Sequence, residues 1–207
     1  MSTFRFAIMG AGNIAHQFCD AVTLVEDCEV SAIASKDLGR AQKFAEECSV
    51  AHAYDNYEQM LIEEKPDCVY IAVTPNDHFR LTMLCLEHRV PVLCEKAMFT
   101  NSAEAKAVFE KAEKDQTFVM EAMWSRFLPA VNQAKKWAAE GKIGRLEALQ
   151  GRIGFLAPEG ADNRYHSPLL CGGAATDITV YAYEIATWLV NEPVRKTYAA
   201  ANLDQTG

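Results

Sequence analysis

Five short, continuously apolar runs alternate with longer amphipathic stretches between residue 4 and about residue 122. This alternation constrains the fold more than any other feature of the sequence. Apolar runs without polar interruption are typical of strands that are covered on both faces, as in a parallel sheet. Repetition of strand, helix and strand predicts a doubly wound α/β fold. The predicted strands are residues 4–9, 30–34, 68–73, 91–94 and 118–120.

Capping residues mark where two of the connecting helices begin. Asp37 has the position of an N-cap for a helix over 37–48. Asn101 is the N-cap candidate of a helix over 101–114, and Glu104 three residues later completes a capping-box pattern.

The pattern changes after Trp124, where only two helices and two strands are predicted. So few elements leave one face of a sheet without a partner. We therefore expect one complete domain over residues 1–122 and, over 123–207, the start of a second domain whose remainder is missing from this chain. The predicted elements of this second part are helices over 130–140 and 174–190 and strands over 145–155 and 194–203.

Composition narrows the classes of partner. The chain of 207 residues has 28 acidic and 20 basic side chains, a net charge of −8 that disfavours nucleic acid and anionic membrane surfaces. It has no apolar run near the ~18 residues of a membrane span and no signal-peptide pattern at its start. The seven cysteines are odd in number and contain no Cys-x-x-Cys pair. These features predict a soluble, reduced, cytoplasmic protein.

A glycine-rich turn follows the first predicted strand. Gly10, Gly12, Asn13, Ile14 and Ala15 fit the pattern G-x-G-x-x-A at the start of a helix. The first glycine permits a tight turn, the second lets a pyrophosphate approach the backbone, and the alanine keeps the helix close to the sheet. Free N–H groups and the helix dipole then attract phosphate. A glycine-bearing turn without a ligand is the alternative, but this context favours dinucleotide binding.

The end of the second predicted strand bears on the choice between NAD and NADP. An acidic residue there holds the ribose 2′-hydroxyl, whereas a basic residue accommodates a 2′-phosphate. This chain has Ser35 and Lys36 at that point, with Arg40 one turn into the next helix. The two cations are otherwise ordinary solvated charges. We expect NADP rather than NAD.

Parallel topology brings further segments to the same sheet edge. Ligands of doubly wound sheets bind beyond the carboxyl ends of the strands at the switch point. The turn at Gly10, the segment from Thr74 to Asn76, and the pair Glu95 and Lys96 all end there. Lys96 is therefore expected on the cofactor side, although a lysine at a strand end is more often a surface charge.

Asp177 and Tyr181 lie four residues apart in the helix predicted over 174–190. At this spacing both side chains point the same way. Taken alone, the pair is better explained as a carboxylate that complements the helix dipole and a tyrosine beside the core.

The ordered motifs GAGNIA, VTPN, CEKAM, WSRFLPA and GGAATDITVY resemble the glucose–fructose oxidoreductase, inositol dehydrogenase and MocA family, abbreviated Gfo/Idh/MocA. The branch with the dimeric dihydrodiol dehydrogenases and glucose–fructose oxidoreductase looks most similar. The resemblance implies an N-terminal Rossmann domain followed by an α+β substrate domain with an open, mostly antiparallel sheet. It also implies NADP, a sugar, polyol or cyclic diol as substrate, and a homo-oligomer for the full-length protein.

Carried over by position, the resemblance implies that Tyr181 is the acid/base residue, that Lys96 assists it, and that Asp177 belongs to the same catalytic motif. A tyrosine titrates near pH 10, so a lysine ammonium and a positive nicotinamide would be needed to favour its phenolate. Together with the topology, the resemblance predicts these cofactor contacts: Gly10, Gly12, Asn13, Ile14, Ser35, Lys36, Arg40, Thr74, Asn76, Glu95, Lys96 and Arg126.

Three departures from the family pattern bear on function. Ala97 stands where the family has proline, which removes a backbone constraint next to Lys96. The segment before His78 is one residue shorter, which leaves the role of this histidine open. The chain also stops at Gly207, before the family's substrate domain is complete. The five histidines are scattered, so no metal site is expected.

Two further interpretations remain open. One is an NAD(P)-binding regulatory or sensor protein that has the same fold and no catalysis, since such a protein needs only the glycine-rich turn. The other is a folded cofactor-binding fragment. Retention of Lys96, Asp177 and Tyr181 together favours an enzyme.

Overall fold

The computed structural model describes residues 3–158, 160, 163–201 and 203. The chain divides into two compact units, Met1–Ala122 and Met123–Gly207, referred to below as the first and second units. Within the described residues, no helix has the length and apolar character needed to cross a membrane.

The first unit is built on a six-stranded parallel sheet with the order β3-β2-β1-β4-β5-β6. The order reverses between β1 and β4, which places the switch point there. The doubly wound α/β prediction is confirmed, with β3 as an additional short strand. The strands are β1 Phe4–Met9, β2 Cys28–Ala34, β3 His52–Tyr54, β4 Cys68–Ile71, β5 Val92–Cys94 and β6 Val119–Glu121.

Five helices connect these strands and begin largely where the capping residues predict. Asp37 accepts the N–H of Arg40 at 2.7 Å, and Asn101 accepts the N–H of Glu104 at 3.0 Å. Both N-cap predictions are therefore confirmed. The helices are α1 Asn13–Val22, α2 Leu38–Cys48, α3 Tyr57–Glu64, α4 Pro75–Glu87 and α5 Ser102–Asp115.

Both faces of the sheet are covered. Successive residues of a strand point to opposite faces. On one face, Ile8 and Ile33 pack with Ala15 of α1 and Phe44 of α2. On the other face, Ala7, Met9 and their neighbours pack against residues of α3 and α4. Burial on both sides explains why the strands are apolar without alternation.

The second unit is helical in its described part. Two short 3₁₀ turns, Trp124–Phe127 and Pro168–Leu170, accompany its helices. Residues 145–155 and 194–201 form no strand, so both strand predictions are wrong for the described residues, and residue 202 lies outside them. A strand requires a neighbour with which to pair, and the described part of this unit supplies none. The helices are α6 Pro129–Ala139, α7 Ala174–Asp177 and α8 Thr179–Val190.

The helix predicted over 174–190 is interrupted at Ile178, whose backbone has φ −127° and ψ −33°. Asp177 therefore ends α7, whereas Tyr181 lies in the first turn of α8. Their predicted i, i+4 relationship on one continuous helix is wrong. The interruption falls in the run Ile178-Thr179-Val180, whose β-branched side chains have a lower helix propensity than straight-chain residues.

Candidate active site

The glycine-rich turn joins β1 to α1 at the switch point. Gly10 has φ +110°, and a Cβ on it would lie 2.6 Å from the carbonyl oxygen of Ala72. Only glycine fits where the two chain segments cross so closely. Gly12 is different, because the nearest atom to its added Cβ would be 3.9 Å away. The space beside Gly12 is therefore not filled by the described residues.

Two helix N-termini at this edge have no side-chain cap. Gly12 precedes α1, and Thr74 precedes α4 with Pro75 at its first position; neither Gly12 nor Thr74 caps its helix by a side-chain hydrogen bond. At three other helices of the first unit, the side chain of the N-cap residue accepts a backbone N–H of the first turn. These N-cap residues are Asp37, Asn56 and Asn101. Uncapped helix N-termini bind anions through N–H groups and the helix dipole. These residues fit the phosphates of a dinucleotide.

The remaining predicted contacts of these two turns have matching positions. Asn13 and Ile14 are the first two residues of α1, and the Ile14 side chain is exposed. Asn76 lies in the first turn of α4. Asn13 and Ile14 therefore lie at the uncapped N-terminus of α1, and Asn76 lies at that of α4.

The end of β2 carries the residues predicted to choose between NADP and NAD. Ser35 is buried, and its backbone N–H donates to the carbonyl of Tyr54 at 3.0 Å. The ammonium of Lys36 is mostly exposed and pairs with the carboxylate of Asp77 in α4. Although burial raises the pKa of Asp77, its contacts with Lys36 and Arg80 hold that pKa below its ordinary value. Asp77 is thus an anion directly beside Lys36, which sequence reasoning did not reveal.

Arg40 brings a second cation to the glycine-rich turn. Its guanidinium Nη2 donates to the carbonyl oxygen of Ala11 at 3.3 Å. Both cations are exposed and have partners in the first unit, and their contact with a cofactor stays a prediction.

Glu95 and Lys96 follow β5. Glu95 is 9% exposed, and its carboxylate accepts the hydroxyl of Tyr70 at 2.5 Å and the backbone N–H of Lys96 at 3.2 Å. Burial raises the pKa of Glu95, although the hydrogen bond from Tyr70 opposes that rise. The carboxylate thereby fixes the start of the turn that carries Lys96.

The rest of this turn is held by two side chains of other elements. Glu121 accepts the N–H of Met98 at 2.9 Å, and the ring of His78 contacts the carbonyl oxygens of Ala97 and Met98 at 3.0 and 3.2 Å. The peptide bond between Lys96 and Ala97 is cis. The backbone around Lys96 is thus hydrogen bonded on several sides although Ala97 is not proline.

In the second unit, Asp177 pairs with Arg164, with 3.4 Å between Oδ1 and Nη1. The guanidinium of Arg164 also lies 4.0 Å from the ring centre of Tyr165. Gly172 permits this arrangement, because a Cβ on it would lie 2.6 Å from the carbonyl oxygen of Arg164. The tightly folded loop therefore presents a cation to Asp177.

Tyr181 receives a hydrogen bond inside the second unit. The indole N–H of Trp124 donates to its phenol oxygen at 2.9 Å, and the two rings meet edge to face. A donor at this oxygen stabilises negative charge on it.

Arg126 contacts acidic and aromatic side chains of α8. Its Nε lies 2.5 Å from the carboxylate of Glu184, which also accepts the hydroxyl of Ser125 at 2.9 Å. The guanidinium lies 4.4 Å from the ring centre of Trp188. The cofactor contact expected of Arg126 stays a prediction. Glu184 was missed, and its signal is that it is the one charged residue in α8.

Comparison with known proteins decides the family. A family model described as "Oxidoreductase family, NAD-binding Rossmann fold" matches residues 4–123. A second, the "GFO/IDH/MocA C-terminal domain", matches residues 131–207. The chain belongs to the Gfo/Idh/MocA oxidoreductase family. The resemblance drawn from the five motifs is confirmed.

Relatives within this family include the trans-1,2-dihydrobenzene-1,2-diol dehydrogenases. The mouse protein is 31% identical over 209 residues and the bovine protein 34% identical over 206 residues, each over 98% of this chain. The chain spans 61% of the length of both. A similar fold occurs in a 3-ketoreductase from Actinomadura kijaniata, in complex with TDP-benzene and NADP. Its TM-score is 0.80 at 23% identity, over 91% of this chain and 58% of that structure.

Proposed function

We propose that the chain acts as an NADP-dependent dehydrogenase or reductase on a secondary hydroxyl or carbonyl group of a sugar, polyol or cyclic diol. One observation supports this most. Two uncapped helix N-termini, the cations Lys36 and Arg40, and the buried turn of Lys96 share one edge of the parallel sheet. A domain with a purely structural role would not need this combination of features.

The first unit's residues would hold the dinucleotide at that edge. N–H groups at the start of α1, where Gly12 leaves space, would bind the pyrophosphate. Lys36 and Arg40 would bind the 2′-phosphate, which argues for NADP over NAD. The bound nicotinamide supplies the hydride acceptor or donor, and the protein supplies orientation and electrostatics.

Tyr181 would transfer the proton, and Lys96 would assist it. In alcohol oxidation the phenol oxygen of Tyr181 accepts the hydroxyl proton, and in carbonyl reduction it returns that proton. The N–H of Trp124 at 2.9 Å stabilises the phenolate form that the first direction needs. The ammonium of Lys96 would stabilise charge on the substrate oxygen.

Asp177 would position substrate hydroxyl groups. Its carboxylate pairs with Arg164, and a carboxylate accepts hydrogen bonds from several donors at once. Hydroxyl donors are the groups that a polyol, sugar or diol offers. The named activities of the dihydrodiol dehydrogenase and 3-ketoreductase relatives agree with such substrates.

The deciding experiment is an absorbance assay of nicotinamide reduction. The purified protein is mixed with NADP or NAD and a panel of polyols, sugars and cyclic diols. We expect turnover with at least one substrate and faster turnover with NADP. Tight NADP binding without turnover on the whole panel would instead favour the regulatory or sensor protein of the same fold.

Cellular compartment and oligomeric state complete the proposed function. We propose the cytoplasm as the compartment of the enzyme, because an odd number of cysteines without a Cys-x-x-Cys pair is typical of proteins in a reducing environment. We also propose a homo-oligomer, which light scattering of the purified protein would test against a monomer.

A further inference from the structure

His78 lies between the turns that follow β4 and β5, and its side chain is fully buried at 0% exposure. The ring belongs to the first turn of α4, on the side of the helix that faces the sheet. A buried polar group persists only where its hydrogen bonds are made. The partners of the two ring nitrogens therefore define what this side chain does.

All three partners of the ring are backbone carbonyl oxygens. Nε2 lies 3.0 Å from the oxygen of Val73, in the turn after β4. Nδ1 lies 3.0 Å from the oxygen of Ala97 and 3.2 Å from that of Met98, in the turn after β5. Carbonyl oxygens only accept, so each nitrogen needs a proton of its own to form a hydrogen bond. A neutral ring, with one N–H, can satisfy only one of the two turns.

We propose that His78 is a positioning residue for Lys96, which donates from Nδ1 to the carbonyl oxygens of Ala97 and Met98 and so holds the turn that carries the lysine. Two acceptors face Nδ1 and one faces Nε2, so the single proton of the neutral ring belongs on Nδ1. A second proton, on Nε2, then adds the hydrogen bond to Val73, so that the ring links the turn after β4 to the turn after β5. The importance of this for turnover rests on the function proposed above.

The neighbouring contacts explain why this turn needs such a residue. Ala97 lacks the ring with which a proline restrains the backbone. Glu95 and Glu121 hold the N–H groups of Lys96 and Met98, so the N–H side of the turn is fixed by carboxylates. His78 fixes the carbonyl side of the same turn. The backbone of the turn that carries Lys96 is therefore held through both its N–H groups and its carbonyl groups.

Charges around the ring set when the second proton binds. Burial lowers the pKa of His78, and this outweighs the carbonyl contacts and the charge of Asp77, which raise it. Charged groups at the turn that the ring contacts are Glu95 and Lys96 after β5 and Glu121 in β6. The helix α5, which also packs against α4, carries further charges, the first of which are Glu104 and Lys106. The ring is therefore neutral at neutral pH and gains the bond to Val73 only on acidification.

Nuclear magnetic resonance of the ring nitrogens tests this assignment on the unmutated protein. We expect a neutral ring with the proton on Nδ1 at neutral pH, and protonation of Nε2 as the pH falls. His78 is assigned by its loss in a substituted protein, and the partly exposed His88 on the same helix serves as reference. A neutral ring with its proton on Nε2 would overturn the proposal.

Two substitutions distinguish the hydrogen bond to the Lys96 turn from the hydrogen bond to Val73. The amide nitrogen of H78N takes the place of Nδ1 and keeps the bond to the Lys96 turn, whereas that of H78Q takes the place of Nε2 and keeps only the bond to Val73. We expect the amide resonances of residues 96–98 to shift in H78Q and to stay near their original positions in H78N. Turnover should fall by about tenfold to a hundredfold in H78Q, with the KM for NADP little changed, and remain near normal in H78N.

The matched pair H88N and H88Q should leave both readouts unchanged. Equal losses in H78N and H78Q would reduce His78 to a packing residue and overturn the proposal. If the unmutated protein shows no turnover with any substrate, the proposed function fails, whereas the ring protonation and amide shifts still decide the role of His78.

Discussion

The carboxylate of Asp77, at the N-terminus of α4, forms an ion pair with the ammonium of Lys36, which follows β2. The pair spans the edge of the sheet where the adenosine half of a dinucleotide would lie. Lys36 can therefore contact a 2′-phosphate only in the presence of a competing anion. If Lys36 binds the 2′-phosphate as proposed, cofactor preference depends on Lys36 and Asp77 together.

The first prediction concerns that balance. Lys36→Ala should weaken NADP binding by about tenfold, because a charge-assisted bond of about 1.5 kcal/mol is lost, and should leave NAD binding nearly unchanged. Asp77→Asn should strengthen NADP binding several-fold, since the competing charge is removed. Fluorescence titration with both reduced cofactors measures these constants.

A matched control is Lys43→Ala, in the exposed part of α2 beside Glu47. It should change neither binding constant. Equal weakening of NAD and NADP by Lys36→Ala would overturn the assignment of Lys36 to the 2′-phosphate.

The second prediction separates the two glycines of the turn. Gly10→Ala should destabilise the first unit by several kcal/mol, because its Cβ would meet the Ala72 carbonyl at 2.6 Å in a left-handed backbone. Gly12→Ala should fold normally, since its Cβ meets nothing closer than 3.9 Å. It should nevertheless weaken dinucleotide binding, because the methyl group occupies the space for the pyrophosphate. Thermal unfolding and cofactor titration of both variants give the comparison, and normal binding by a folded Gly12→Ala protein would contradict it.

Local sequence rules predicted the first unit well because its elements are determined by neighbouring residues. Asp37 and Asn101 cap their own helices, and all five predicted strands are observed within two residues of their expected ends. The strand His52–Tyr54 escaped prediction because its sequence His-Ala-Tyr forms no apolar run. The strands β5 and β6 are equally short but lie in or beside apolar runs, which is the signal that predicted them.

Site contacts were predicted less well because they join residues far apart in the sequence. The pairs of Lys36 with Asp77, Trp124 with Tyr181 and Arg126 with Glu184 are separated by 41, 57 and 58 positions. No periodicity or capping rule reports on such pairs. The topology of the sheet still predicted which strand ends would share an edge, because parallel strands end on the same side.

The third prediction concerns proton transfer. Tyr181→Phe should lower turnover by about 10²- to 10⁴-fold because the acid/base oxygen is removed, and Lys96→Met should also remove most turnover. Both variants should still bind NADP. Tyr183→Phe, on the exposed side of α8, is the matched control and should retain turnover. Steady-state kinetics beside cofactor titration separates chemistry from binding, and near-normal turnover in either variant would remove the proposed mechanism.

The last prediction concerns acid stability of the first unit. Glu64, at the end of α3, is buried, and its carboxylate accepts hydrogen bonds from Tyr54, His52 and Arg5. Although burial raises the pKa of Glu64, these contacts hold it below its ordinary value of 4.5. A carboxyl whose pKa is depressed by folding stabilises the protein above its unfolded-state pKa, and this contribution is lost as the pH falls through its folded-state pKa.

Glu64→Gln should therefore lower the free energy of unfolding at neutral pH, and the difference from the unmutated protein should shrink below pH 4.5. Urea unfolding at a series of pH values measures this difference. Glu58→Gln is the matched control, because the Glu58 side chain is exposed on the same helix and pairs with His88, which is not among the partners of Glu64. A difference that stays constant as the solution is acidified would show that Glu64 acts through packing, and that its charge contributes nothing to stability.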